Sequence, residues 1–201
     1  MAENKYIKAA EYCLELKKWA GKMSLVSKGD EGKLISRHFL DAMIIERMIP
    51  PGATVMDVGG GNGFPAIPLA LFRQDIKIVS FESKMKKAVF LNNIKNDLNL
   101  TNYKIANCRI ENNPSDYKRR FNVIISRAYK DISGILKTTE YYAANIAIYL
   151  IYNKLEKECI VKIKNDYQQL INTVDKFDYY LPDNRERQMA IIKFKDNKIS
   201  F

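Results

Sequence analysis

The chain is poor in the side chains from which reaction centres are usually assembled. His38 is its one histidine, and its three cysteines, Cys13, Cys108 and Cys159, stand far apart. Isolated and odd in number, these cysteines match neither a disulfide frame nor a metal knuckle. No Ser/His/Asp set and no metal cluster is on offer, so no metal is expected. His38 suits a packed, hydrogen-bonded position at least as well as a catalytic one. No window approaches the roughly 18 uncharged apolar residues of a membrane span. The opening Met-Ala-Glu-Asn-Lys-Tyr has no apolar signal core, so the expected compartment is the cytoplasm. Internal repeats and low-complexity linkers are also missing.

What is present is a globular composition with a basic excess. The 201 residues, 47% hydrophobic and 28% charged, fit one ordinary domain with room for an extension. The net charge of +10 is unevenly spread. Residues 84–130 hold eleven Lys or Arg against Asp97, Glu111 and Asp116, leaving +2 for the rest of the chain. Such a concentration points to a polyanion, nucleic acid first. A composition rich in Lys, Asn and Ile accounts for part of it, so the charge is supporting evidence only.

Periodicity predicts an amphipathic helix over 5–20, a loop near 24–30 and a second helix over 33–48. Pro50-Pro51-Gly52 closes this helical extension and sets the expected boundary between residues 1–50 and 51–201. Beyond it, strands near 53–58, 76–82, 103–107, 121–126 and 145–152 alternate with helices near 66–73, 84–98, 131–142 and within 156–174. A hairpin from 177–181 and 189–194 turns at Pro182-Asp183-Asn184. Alternation of this kind predicts an α/β fold around a parallel sheet.

The first strand ends in Asp57 and opens into Val58-Gly59-Gly60-Gly61-Asn62-Gly63, followed by Phe64-Pro65-Ala66 at a helix start. Strand, glycine turn and helix together bring a ligand against bare backbone. A dinucleotide loop, G-x-G-x-x-G or G-x-G-x-x-A, fails from Gly59 because its last slot holds Phe64. From Gly61 it reaches Ala66, but begins late and encloses Pro65. Asp-x-Gly-x-Gly-x-Gly fits and resembles the nucleoside loop of S-adenosylmethionine (SAM) methyltransferases. Buried, Asp57 would accept loop amides or act on a ligand ammonium through water.

Glu82 closes the second strand, 19 residues beyond Gly63, where nucleotide folds place an acid for ribose hydroxyls. Its charge disfavours a 2′-phosphate. Cys108-Arg109-Ile110-Glu111 follows the third strand, where backbone and Glu111 are candidates for an adenine amino group. Ser126-Arg127-Ala128 ends the fourth, and Arg127 there suits a bidentate substrate phosphate. Arg127 is the one candidate catalytic residue.

Together these motifs resemble the RsmG (GidB) family of 16S ribosomal-RNA guanine-N7 methyltransferases, over residues 20–195. Ser24-Leu25-Val26 stands where the family has Asn-Leu-Thr. Arg37-His38-Phe39-Leu40-Asp41-Ala42 is similar to its His-Phe-Leu-Asp-Ser signature, and the stretch Asp57–Ala70 follows its glycine loop and Phe-Pro-x-Ile-Pro run. Glu82-Ser83-x-x-Lys86-Lys87-x-x-Phe90-Leu91, Ser126-Arg127-Ala128 and Arg187–Lys193 also correspond. The resemblance implies a class I, Rossmann-like three-layer sandwich with an N-terminal helical extension. It implies SAM as cofactor, with Gly59, Phe64, Ile110, Glu111 and Arg127 at its site and Ser83 beside Glu82; the spacing adds Asp57, Gly61 and Gly63. Glu82 replaces the family's Asp, and Ile151-Tyr152-Asn153-Lys154 keeps the Lys of Ala-Leu-Lys-Gly but loses the Gly.

The implied partner is 16S ribosomal RNA or the small ribosomal subunit, met by a monomer through Lys84, Lys86, Lys87, Lys118, Arg119, Arg120 and Lys154. Tyr129 and Tyr152 are candidates to stack on the acceptor base. Two readings compete: a SAM methyltransferase for another RNA or a small molecule, and a non-catalytic RNA-binding or assembly protein with a nucleoside pocket.

Overall fold

The computed structural model describes residues 2–21, 23, 25, 31–112, 114–127, 131–152 and 156–195. Seven strands form one sheet: β1 (Thr54–Val58), β2 (Lys77–Phe81), β3 (Tyr103–Ala106), β4 (Phe121–Arg127), β5 (Ala143–Tyr152), β6 (Ile171–Tyr180) and β7 (Glu186–Phe194). Their spatial order is β3-β2-β1-β4-β5-β7-β6. The first five run parallel, and β7 is antiparallel to both β5 and β6. The chain winds outward from β1 to β3, then crosses back to β4. That reversal opens a crevice at the carboxyl ends of β1 and β4, where open α/β sheets bind ligands.

Alternate strand residues feed two apolar layers, as a sheet covered on both faces requires. Val55, Ile78, Val123 and Leu150 face α1 (Ala2–Ala20), α3 (Ala66–Phe72) and α4 (Met85–Asp97). Met56, Ile124, Tyr149 and Ile151 face α5 (Ile132–Thr139) and α6 (Lys157–Asp166). The result is a helix–sheet–helix sandwich. Tyr12 and Leu16 of α1 are fully buried in the first layer, so the extension shares the core of the sheet.

Two elements differ from the sequence expectation. The helix expected over 33–48 is a series of tight and wide turns: Glu31–Lys33 and Ile45–Met48 are 3-10, Leu34–Phe39 is π-helical, and α2 is only Leu40–Ile44. The widened turn carries Arg37 and His38, both buried. The hairpin starts at Ile171 rather than near 177. Exposed Asn172, Asp175 and Lys176 lie on this edge strand and hide the apolar alternation there. Between β3 and β4 the described residues form two 3-10 turns, Ile110–Asn112 and Ser115–Tyr117, and no helix of greater length. No described helix is long and apolar enough to cross a membrane.

Candidate active site

The glycine loop leaves β1 with its amides turned onto β2. Gly59 N and Gly60 N both donate to the Phe81 carbonyl, at 3.0 and 3.1 Å, and Gly61 N donates to Glu82 Oε2 at 2.8 Å. Gly61 sits at φ 54°, a left-handed conformation costly for β-branched residues. A Cβ on Gly60 would lie 2.9 Å from both Leu91 Cδ1 and Ser80 Cβ. Gly60, a spacer in the sequence motif, is therefore the residue that lets the loop press against β2 and α4. Gly63, at φ 93°, is covered by Ile67 and the Tyr12 hydroxyl, so it shapes the loop from beneath.

Glu82 is buried and holds two backbone amides, Gly61 N and, at 2.7 Å, Lys84 N. Each carboxylate oxygen retains a lone pair for a further donor. Asn107 Nδ2 donates to the Glu82 carbonyl at 2.7 Å, tying the loop after β3 to the end of β2. Tyr142 donates its hydroxyl to the Ile110 carbonyl and pins the next turn. Between these pinned loops lies a cavity of about 400 Å³, lined among others by Gly59, Gly61, Glu82, Ser83, Ile110 and Glu111. Six of the ten cofactor candidates thus share one pocket. Buried Phe81 and Ile110 supply its apolar walls.

Asp57 stands under the loop, and the bond it makes differs from the expected ones to loop amides. Paired in register with Ser80, it accepts the Ser80 hydroxyl at 2.5 Å, and Tyr103 donates to Ser80 Oγ at 2.9 Å. The loop amides go to Phe81 and Glu82 instead, because the loop folds over β2. Burial pushes the Asp57 carboxyl up to about 7; the Ser80 hydrogen bond opposes this, and the nearby Glu82 charge adds to it. Burial likewise raises the Tyr103 phenol above its ordinary range.

Phe64 and Arg127 lie on the side of the loop that meets the extension. Phe64 is buried, its ring 5.4 Å from His38 in a stacked arrangement and 5.1 Å from Tyr12. Tyr12 donates to the Asn62 carbonyl at 2.7 Å, and Asn62 Nδ2 donates to the Leu25 carbonyl at 3.0 Å. Arg127 Nη2 meets His38 Nδ1 at 2.7 Å and Asp41 Oδ2 at 3.5 Å, while Tyr179 donates to Asp41 Oδ1. Arg37 Nε donates to Asp183 Oδ2 at 2.7 Å in the hairpin turn. Extension and β4 therefore meet at the guanidinium of Arg127, and the hairpin joins them through Asp41 and Arg37. The sequence points to a packed, hydrogen-bonded His38 and carries Asp41 in a family signature, but neither position reveals its partner.

The basic residues divide between the two edges of the sheet. Lys84, Lys86 and Lys87 lie at the start of α4 on the carboxyl side, with Lys84 and Lys87 lining the pocket. Lys118, Arg119 and Arg120 precede β4 and lie at the amino edge, one strand length of about 20 Å from Arg127. The six therefore form two separate groups, because the chain crosses the sheet between them. Lys154, Tyr129, Ala128, Ser24, Val26 and most of the 24–30 loop lie outside the described residues, as does the side chain of Tyr152. Among the described residues no group of three or more His, Cys, Asp or Glu is placed to hold a metal.

A parallel sheet with an antiparallel closing hairpin and a glycine-loop pocket at its switch point defines the class I, Rossmann-like methyltransferase fold. Solved structures agree at the level of fold. P. horikoshii TYW2 in complex with MeSAdo superposes with a TM-score of 0.64 at 14% identity, covering 80% of this chain and 63% of that one. A SAM-dependent methyltransferase from Aquifex aeolicus gives 0.58 at 17% identity, covering 83% and 95%. The chain belongs to the GidB family, rRNA small subunit methyltransferase G, whose model matches residues 5–181. Relatives named ribosomal RNA small subunit methyltransferase G include those of Desulfotalea psychrophila, 37% identical over 64% of this chain, and Fusobacterium nucleatum, 28% identical over 98%. The matched segments span 60% of the former relative and 85% of the latter. A Legionella pneumophila relative, 34% identical over 70% of this chain, is spanned over 66% of its length.

Proposed function

We propose that the chain is a SAM-dependent methyltransferase acting on guanine N7 of small-subunit (16S) ribosomal RNA. The carrying observation is the cavity in which Glu82, Gly59, Gly61, Ile110 and Glu111 come together at the carboxyl edge. Its chemistry fits a nucleoside: a buried carboxylate for hydroxyl donors, apolar walls for a base, and a second acid for an amino group. Glu82 and the glycine loop would hold the ribose end, with Ile110 and Glu111 at the adenine. When bound, SAM supplies a methyl group on a positively charged sulfur. Guanine N7 presents a lone pair without deprotonation, so the protein needs no general base at that atom. Its task is alignment, a contribution worth several kcal/mol.

Arg127 is the residue proposed to orient the acceptor. It stands at the carboxyl end of β4 with its guanidinium held by His38 and Asp41. Lys84, Lys86 and Lys87 would meet RNA phosphates beside the pocket. Because the major groove of an RNA duplex is too narrow for side chains, the acceptor is an unpaired or extruded guanine. The proposal includes a monomer in the cytoplasm, where ribosomal RNA is, and a 1–50 extension serving a 51–201 catalytic unit. Incubating small ribosomal subunits with labelled SAM and mapping the modified base tests it. Label on another atom, or only on a small molecule, moves the chain to the competing methyltransferase reading; SAM binding without transfer to any RNA favours an assembly protein.

A further inference from the structure

The amino edge of the sheet holds a second cleft, of about 570 Å³, which shares no lining residue with the pocket above. Its cause is the connection between β3 and β4. A parallel crossover is usually a helix packed on the sheet. Here the two 3-10 turns leave the starts of β1, β2, β3 and β4 roofed by little more than Tyr117. Lys77, Lys104 and Arg120 line the cleft, all exposed and without an ion-pair partner among the described residues. Two acids line it too. Asp75 is engaged by Arg73 through two contacts of 2.8 Å, which leaves exposed Asp116 against three cations. Half-buried Tyr117 is steadied by Phe121, stacked at 6.0 Å, and by Phe81, edge-on at 5.2 Å, and still lines the cleft.

From this placement we infer that the amino-edge cleft binds an unpaired segment of RNA, its phosphates on Lys77, Lys104 and Arg120 and a base on Tyr117. Spread cations around an aromatic ring are the recognition chemistry of single strands: charge tracks the backbone, and any base has a face to stack. A carboxylate-rich polypeptide would use the cations and leave the ring idle. The inference rests on the RNA-acceptor reading and extends it. An RNA engaged at both edges must reach about 20 Å around the sheet, the length of β4. The cleft would anchor substrate at a distance from the reacting base.

The test measures binding of a fluorescently labelled oligouridylate against salt, for the parent and for a Lys77→Ala/Lys104→Ala/Arg120→Ala variant. All three positions are exposed, and circular dichroism checks that the variant keeps the parental fold. The log–log slope is expected to flatten by about 2, near 0.7 for each of three single-strand contacts. Asp116→Lys should steepen it, and SAM affinity by calorimetry should stay at the parental value in both. Crosslinking with a 4-thiouridine-containing RNA should label the peptide holding Tyr117. A parental slope in the triple variant, with crosslinks confined to the carboxyl edge, overturns the cleft and leaves the methyltransferase reading standing. A parent that binds no RNA at all overturns both. Displacement of RNA by polyglutamate at matched charge, lost in the triple variant, would assign the cleft to an acidic polypeptide and also overturn it.

Discussion

At the carboxyl edge of the sheet Asp57, Glu82 and Asp41 are buried and held, beside exposed Lys84, Lys86 and Glu111. Asp57 has Ser80, Glu82 has two backbone amides, and Asp41 has Tyr179 and Arg127. At the amino edge Lys77, Lys104, Lys118 and Arg120 stand exposed, with Lys118 over the Tyr141 ring at 5.7 Å. A buried charge is tolerated only with partners, and partners fix its position. An exposed charge is cheap to keep and free to move, but salt screens it. The carboxyl edge thus has fixed geometry beside its mobile charge, whereas the amino edge offers mobile charge alone. Methyl transfer to an atom that already has its lone pair needs the first; capture of a polyanion needs the second.

Three substitutions test the carboxyl edge as a place where geometry decides. The largest effect is expected from Arg127→Ala, which removes the guanidinium held by His38 and Asp41. Misplacing the acceptor should lower single-turnover methylation at saturating RNA by about 10²-fold and barely move RNA affinity. A parental rate would make Arg127 a purely structural tie between extension and hairpin. Next is Gly61→Val, which puts a β-branched residue at φ 54° beside the pocket. Calorimetry should find most SAM binding lost in a protein whose circular dichroism is unchanged; unchanged affinity would falsify the assignment of this loop. Smaller again, Glu82→Ala unpairs the Gly61 and Lys84 amides together with any ligand hydroxyls. It should weaken SAM by about 1–3 kcal/mol. If RNA binding fell instead, Glu82 would belong to the acceptor side.

Much of the carboxyl edge was legible in the sequence because its signals are local. A glycine loop, an acid 19 residues past it and short motifs after the third and fourth strands need only strand order to become a pocket. The ties across the edge were not legible in that way. Tyr12 to Asn62 spans 50 positions, Arg127 to His38 spans 89, and Tyr179 to Asp41 spans 138. Nothing in the spacing of either partner encodes the other. Charge was legible in amount and not in direction. The basic run from 84 to 130 passes down α4, back along β3 and down again before β4, so it supplies both edges. The irregular 31–48 segment escaped because π and 3-10 turns preserve roughly helical spacing while shifting which side chains face inward.

The smallest predicted effect sets one carboxylate from each edge against the other. Asp57 is buried, and that burial lifts its carboxyl to about 7 in the folded chain, against roughly 3.9 when unfolded. Between those values the folded state binds more protons than the unfolded state. Stability from this group is therefore full below about pH 4 and lost as pH rises through about 7. Asp75 is exposed, and the hydrogen bonds from Arg73 hold its carboxyl well below the usual range. Its contribution has the opposite sign: present above about pH 4, lost as pH falls toward the folded value. With its side chain 43% exposed, this contribution is small and should shrink in salt. Melting temperatures followed from pH 3 to 8 should show Asp57→Asn gaining on the parent as pH rises from about 4 to 7. Asp75→Asn should trail the parent above pH 4 and catch up below it, most clearly at low salt. Parallel curves for both variants would mean that burial at Asp57 is relieved by solvent, and the contrast between the edges would then rest on position alone.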